Sequence, residues 1–123
     1  MKSILIIWLG GGIGSVLRYL MQVSMARYVM DGFPAGTFIV NITGCFIIGL
    51  LYGLSSKYGW LTPGWQLFLV AGFCGGYTTF SGFSYESIAM IRQGNYMPCM
   101  FYIVLSVLLG LLSTLGGAAI FRN

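Results

Sequence analysis

The sequence predicts an all-α membrane protein with four transmembrane helices, the third of them broken at the midplane. The chain of 123 residues is 58% hydrophobic and 7% charged, with a mean hydropathy of +0.89. Soluble domains carry about 25% charged residues, so six basic and two acidic side chains are too few to cover a water-facing surface. Because a helix needs about 20 apolar residues to cross a bilayer, four spans would occupy most of this length. Residues 1–123 are therefore predicted to form a single transmembrane domain.

Four long apolar stretches divide the chain. The first continues well past the length of a signal-peptide core, which argues against a cleaved leader. Ser55-Ser56-Lys57 ends the second stretch, a loop around Pro63 precedes the third, and Arg92-Gln93-Gly94-Asn95 separates the third from the fourth. Small residues four apart at Gly10/Gly14, Gly49/Gly53 and Gly72/Gly76 indicate closely packed helices. The predicted spans cover residues 4–26, 36–54, 65–91 and 96–121.

The composition argues against an enzyme. Histidine is absent and the carboxylates are Asp31 and Glu86, so acid–base and nucleophilic sites lack their usual parts. The cysteines are odd in number and show no paired spacing, which predicts buried free thiols rather than disulfides or a zinc site. Because the basic residues are scattered singly, nucleic acid is not expected as a partner. The cysteines are Cys45, Cys74 and Cys99.

Basic residues at the ends of the spans give almost no orientation signal. Lys2, Lys57 and Arg122 lie on the side of the termini, and Arg27 and Arg92 lie on the other side. Because Lys/Arg asymmetry sets orientation, we expect copies to insert both ways and to pair as an antiparallel homodimer with a two-fold axis in the membrane plane. A single orientation with a weak signal is the alternative.

Two ionisable residues fall inside the predicted spans. Residues 4–17 are too few to cross the bilayer, so Arg18 lies within the first span. It either snorkels to the interface or forms a buried cation that faces a water-filled entry and attracts anions. Glu86 lies toward the end of the third span and is predicted to pair with a nearby cation.

Glycine, serine and threonine dominate the middle of the third span. Residues 72–84 read Gly-Phe-Cys-Gly-Gly-Tyr-Thr-Thr-Phe-Ser-Gly-Phe-Ser, and a Gly75-Gly76 pair followed by Thr78-Thr79 is poor helix sequence. A broken helix frees backbone carbonyls, which coordinate hard cations such as Na⁺ where the backbone is buried or lines a cavity. The alternative is an intact helix with a glycine packing face.

Aromatic rings recur along the same segment. Phe73, Tyr77, Phe80 and Phe83 are spaced to share one face of any helix formed there. Such a stripe ordinarily packs in a core. The alternative is that positive ring edges, beside the hydroxyls of Thr79 and Ser81, line a path for a small anion.

Neutral hydrogen-bond donors continue this pattern on other spans. Asn41 supplies amide donors in the second span, and Tyr102, Ser106 and Gly110 form one stripe on the fourth. Many donors with few full charges suit permeation of a strongly hydrated anion, whose water must be replaced without trapping the ion.

Three motifs resemble those of the Fluc (CrcB) family of fluoride channels. They are Gly-Gly-Gly-Ile-Gly-Ser-Val-Leu-Arg-Tyr at 10–19, Gly-Thr-Phe-Ile-Val-Asn-Ile-Thr-Gly-Cys-Phe at 36–46, and the 72–84 segment. The resemblance covers essentially the whole chain. It implies a fluoride-selective channel for passive export, built as an antiparallel homodimer with a structural Na⁺ on its axis. The uncleaved spans suit a bacterial plasma membrane.

The resemblance also implies roles for individual residues. Gly82 and Gly110 depart from the family pattern and leave the detailed pore lining open. The implied sodium ligands are the backbone carbonyls of Gly75 and Thr78 from both subunits, the pore residues are Asn41, Phe80 and Phe83, the hydroxyl track is Tyr102 and Ser106, and the anion vestibule holds Arg18.

Two other functions compete with a channel. A small multidrug-type cation exporter would need an acidic residue deep in a span, whereas the first span carries Arg18 and Glu86 lies near an end. A non-conducting assembly subunit would not need the break in the third span.

Overall fold

Three long helices and one interrupted helix make up the computed structural model, which describes residues 1–26, 33–59 and 62–121. Arg27, Asp31 and Arg122, which entered the sequence analysis, lie outside these ranges. The elements in chain order are α1 (Lys2–Met25), α2 (Ala35–Tyr58), α3 (Pro63–Gln66), a π-helical segment (Leu67–Cys74), α4 (Gly75–Tyr77), α5 (Phe80–Arg92) and α6 (Tyr96–Ile120).

Helices α1, α2 and α6 are long and apolar enough to cross a membrane. They contain 24, 24 and 25 residues, which at about 1.5 Å per residue exceeds a hydrocarbon thickness of about 30 Å. Their outer faces expose large apolar side chains such as Trp8 (70%) and Leu111 (64%). The predicted third span instead consists of the consecutive pieces from α3 to α5.

The second helix continues past the predicted end of its span at residue 54. Ser55, Ser56 and Lys57 stay helical, and the helix ends only at Gly59, whose φ of +63° places it in the left-handed region. Glycine tolerates that conformation because it has no Cβ.

The break in the third stretch is confirmed and lies at Thr78–Thr79. Both residues are extended, with ψ 157° at Thr78 and φ −148° at Thr79. The Thr78 hydroxyl donates to the Cys74 carbonyl at 2.8 Å, and the Thr79 hydroxyl accepts from the Gly82 amide at 2.9 Å. Threonine therefore closes α4 and caps α5, because its side chain competes for backbone hydrogen bonds. The preceding glycine pair remains helical.

Glycines allow the helices to approach closely, as the small-residue spacing predicts. Helix α1 packs against the π-helical segment, and α2 packs along α6. A Cβ on Gly10 would lie 3.2 Å from the Cα of Gly72, and a Cβ on Gly53 would lie 2.7 Å from the carbonyl oxygen of Ala118. A small hydrophobic core lies between α5 and α6, around Met90, Cys99 and Tyr102, with Phe33, Phe38 and Phe83 against it.

Candidate ion cavity at the helix break

An open cavity of about 390 Å³ lies beside the break, between α2, the π-helical segment, α5 and α6. Most of the predicted site residues meet here, although Arg18, Ser81 and Tyr102 are not on its wall. The lining includes Asn41, Gly75, Thr78, Thr79, Phe80, Phe83 and Ser106, together with the thiol-bearing Cys45 and Cys74.

Asn41 joins α2 to the break through both ends of its amide. Its Nδ2 donates to the Thr79 carbonyl at 3.1 Å, and its Oδ1 accepts from the Thr79 amide at 2.8 Å. The Asn41 Oδ1 thus replaces the helical carbonyl that the Thr79 amide loses at the break. Because an amide nitrogen carries two hydrogens, this pairing leaves one donor of Asn41 unused.

The carbonyls of Gly75 and Thr78 are among those that lose their helical donors at the break. In a continuous α-helix the amides of Thr79 and Gly82 would bond the carbonyls of Gly75 and Thr78. The Thr79 amide donates to Asn41 instead, and the Gly82 amide donates to the Thr79 hydroxyl. Carbonyl oxygens are ligands that hard cations accept, so Gly75 and Thr78 fit the sodium site that the resemblance implies.

Side-chain ligands offer no comparable cation site in the parts of the chain that the structure describes. No group of three or more His, Cys, Asp or Glu residues is placed to hold a metal ion there.

The aromatic residues do not form a single stripe, because the break separates them into two pairs. Phe73 and Tyr77 stack with centroids 5.8 Å apart, and Tyr77 is buried with its hydroxyl 2.8 Å from that of Thr43. Phe80 and Phe83 form the second pair, also 5.8 Å apart. Only this second pair lines the cavity.

Phe80 and Phe83 have different surroundings. Phe80 is 80% exposed, so apart from its contact with Phe83 its ring lies at the surface of the single chain. Phe83 lies 5.1 Å from the Tyr102 ring and packs against the Met90 cluster. Ser81 is exposed, with its hydroxyl 3.3 Å from that of Thr79 and outside the cavity wall.

The predicted stripe on α6 faces the interior, but only Ser106 reaches the cavity. The Ser106 Oγ is buried and has no hydrogen-bond partner among the described residues. Tyr102 is fully buried and donates to Glu86 Oε1 at 3.1 Å. Gly110 is buried beside Cys45, whose Sγ would lie 3.5 Å from a Cβ at that position.

Glu86 lies in a polar chain that the sequence analysis missed. Glu86 was expected to pair with a cation, but its partners among the described residues are hydroxyls: its Oε2 accepts from Thr37 at 2.9 Å and its Oε1 accepts from Tyr102. Gln22 extends the chain by donating to the Thr37 hydroxyl at 3.1 Å. The only sequence signal was the presence of polar Gln22 and Thr37 within or at the edge of apolar spans.

Arg18 on α1 contacts the backbone of α4, just before the break. Its Nε donates to the Gly76 carbonyl at 3.0 Å, so the side chain turns toward the protein rather than extending freely toward the interface. Gly76 lies one residue after Gly75, and Arg18 therefore helps to fix the backbone that leads into the break.

Comparison of the sequence with protein-family models shows which family this chain belongs to. The family model described as CrcB-like protein, Camphor Resistance (CrcB), matches residues 5–118. The chain belongs to the CrcB family. Every residue on the cavity wall lies within the matched part of this CrcB protein, and with its long apolar helices it is a multi-pass membrane protein.

Curated CrcB relatives are similar along nearly their whole length. The chain is 48% identical over 123 residues to the fluoride-specific ion channel FluC of Flavobacterium psychrophilum, covering 100% of this chain and 99% of that protein. It is 49% identical over 117 residues to the FluC of Phocaeicola vulgatus, covering 95% and 96%. It is 41% identical over 122 residues to a FluC of Leptospira interrogans, covering 99% and 96%.

Proposed function

We propose that this protein is a fluoride-selective ion channel that lets fluoride leave the cell passively, down its electrochemical gradient. The observation that carries the proposal is the cavity at the helix break, whose lining residues offer amide and hydroxyl donors and phenylalanine rings but include no charged side chain. Its relatives at 41–49% identity bear the name of fluoride-specific ion channels. A pore must bind its ion well enough to replace water but weakly enough to release it.

Neutral donors favour fluoride over chloride in a narrow passage. Fluoride is small and strongly hydrated, so close approach by the Asn41 amide and the Ser106 hydroxyl offsets the loss of its water. The positive edges of Phe80 and Phe83 add attraction without a full charge. Chloride is larger and less strongly hydrated, so the same passage excludes it by size. The orphan hydroxyl of Ser106 supports this role, because a buried donor without a partner is costly.

The working unit in this proposal is an antiparallel homodimer in a bacterial plasma membrane. Helices α1, α2 and α6 each cross once, and the pieces from α3 to α5 together make the fourth crossing. The exposure of Phe80 and the opening of the cavity at the protomer surface support completion of the path by a second copy. The near-balance of basic residues supports insertion in both orientations.

A structural Na⁺ at the dimer centre fits the released carbonyls. Gly75 and Thr78 of each copy would hold it, and its positive charge would stabilise four backbone oxygens brought together on the axis. The hydrogen bond from Arg18 to Gly76 supports this site by fixing the adjacent backbone. The remaining N–H groups of Arg18 would draw anions toward the entrance.

A fluoride electrode and liposomes that contain the purified protein test this function. We expect rapid fluoride efflux, no chloride efflux, and at least tenfold slower fluoride efflux after Phe80→Ala. Phe101→Ala is the matched control, because Phe101 is also exposed (58%) but lies on α6 away from the cavity. It should conduct normally.

Three other results of the efflux assay would contradict parts of this proposal. If correctly folded protein released neither ion, an exporter or an assembly subunit would replace the channel. Equal release of both ions would keep a channel but remove the selectivity argument. Normal fluoride flux in Phe80→Ala would show that the ring edge does not contribute.

A further inference from the structure

Two thiols face the same cavity, and the proposed function uses neither of them. Cys45 lies on α2 and Cys74 ends the π-helical segment, and both line the cavity at the break. Cys74 is buried, with 3% of its surface exposed, and Cys45 is half-buried. The Cys45 Sγ lies beside α6, where a Cβ on Gly110 would be in ordinary van der Waals contact with it at 3.5 Å.

The cavity wall suits soft metal ions and not hard ones. Its described lining residues include no carboxylate and no imidazole, so the thiols are the only strong side-chain ligands on it. Thiolates select soft metals. A divalent ion with two thiolates is electrically neutral, which avoids the large free-energy cost of placing a net charge in apolar surroundings.

We propose that Cys45 and Cys74 together form a binding site for a thiophilic divalent metal ion that takes two ligands in a linear arrangement, as the mercuric ion does. Each thiol loses its proton and forms a metal–sulfur bond. With mercuric chloride the two chlorides leave with the two protons, and no atom changes oxidation state. The site uses side-chain sulfur and is distinct from the carbonyls of Gly75 and Thr78.

Occupancy of this site would also close the cavity to anions. The metal would lie between α2 and the π-helical segment, on the wall that also carries Asn41 and Thr79. This second consequence rests on the proposed channel function, whereas metal binding itself does not.

Counting thiols tests the binding. The full chain, purified in detergent, is titrated with mercuric chloride, denatured in SDS without reductant, and labelled with a maleimide. We expect one mercury per chain to remove two thiols and leave one. Cys99→Ser is the matched control, because Cys99 is buried in the Met90 cluster and donates to the Ser87 carbonyl. In this variant one mercury should leave no thiol, while Cys45→Ser and Cys74→Ser should each bind mercury at least tenfold more weakly.

Three results would overturn the two-thiol site. They are consumption of one thiol per mercury in the unaltered protein, a mercury-linked pair of chains on a non-reducing gel, and equal mercury affinity in Cys45→Ser and Cys99→Ser. If a serine variant failed to fold, the counts for the unaltered chain and Cys99→Ser would still decide.

Fluoride efflux tests whether bound mercury closes the cavity to anions. The efflux rate of each protein after mercury treatment is compared with its own rate before treatment. Stoichiometric mercury should reduce efflux at least tenfold in the unaltered protein and in Cys99→Ser, but not in Cys45→Ser. Unchanged efflux in a fully loaded protein would place the metal off the anion path and overturn the block. Absence of fluoride efflux before treatment would instead count against the proposed channel function. The thiol counts would then be the test of the metal site.

Discussion

Asn41 is the residue on which the geometry of the break most directly depends. Replacing it with alanine would remove both hydrogen bonds to the Thr79 backbone. Both bonds are only partly buried, and a fully buried backbone group without a partner costs about 1–3 kcal/mol, so we expect Asn41→Ala to lower the free energy of unfolding by about 1 kcal/mol and to abolish fluoride efflux. Thermal unfolding in detergent and the electrode assay measure the two effects.

A second variant separates the two roles of this side chain. Asn41→Asp keeps an acceptor for the Thr79 amide but loses the donor and adds a negative charge to the cavity wall. We expect stability between those of the unaltered protein and Asn41→Ala, with no fluoride efflux. Asn95→Ala is the control, because that amide donates only to Gln93 on an exposed turn. Equal melting of Asn41→Ala and Asn95→Ala would mean that the contact to Thr79 is not stabilising.

Helix α1 packs closely against the π-helical segment, backbone to backbone, at its glycines. A Cβ on Gly14 would meet the carbonyl oxygen of Phe73 and lie 2.9 Å from the amide nitrogen of Tyr77. Because these are backbone atoms that cannot rotate away, we expect Gly14→Ala to cost about 1–3 kcal/mol and to disturb the break that follows Tyr77. Thermal unfolding and fluoride efflux should both be reduced.

Gly12→Ala provides the matched control on the same helix. Nothing lies within 4 Å of a Cβ at that position, and alanine favours helix over glycine by up to about 1 kcal/mol. We therefore expect unchanged or slightly higher stability and normal efflux. If Gly14→Ala behaved like Gly12→Ala, close approach of the backbones would not be what holds α1 in place.

Local sequence predicts the elements better than it predicts their partners. The break could be foreseen because weak helix formation by glycine and threonine is a property of the residues themselves. The π-helical segment could not be foreseen, because its apolar sequence carries no signal for a π-helix. This segment lies where α1 packs against the third stretch. Glu86 illustrates the same limit: its hydroxyl partners, Thr37 and Tyr102, come from α2 and α6. The spacing of the aromatic stripe failed because it assumed one uninterrupted helix.

Orientation in the membrane is a property of the whole molecule, and charge controls it. Three basic residues on the side of the termini against two on the other give little bias. Adding charge to one side should therefore fix one orientation. The first biased variant combines Lys57→Gln with Gln93→Lys and Asn95→Lys. The second combines Arg92→Gln with Ser56→Lys and Gln66→Lys. We expect the two variants to insert into the membrane in opposite orientations. Protease protection of a terminal tag in sealed vesicles measures the sense.

Co-expression of these variants tests the antiparallel dimer. Each variant alone lacks an oppositely oriented partner, so we expect its fluoride efflux per folded chain to fall at least tenfold. Together they supply one copy in each sense, and efflux should recover to near the unaltered level. The substitutions lie at helix ends and away from the cavity wall, so a fall in efflux cannot be assigned to altered lining. Full efflux from either variant alone, with its tag on one side only, would mean that parallel copies or single chains conduct.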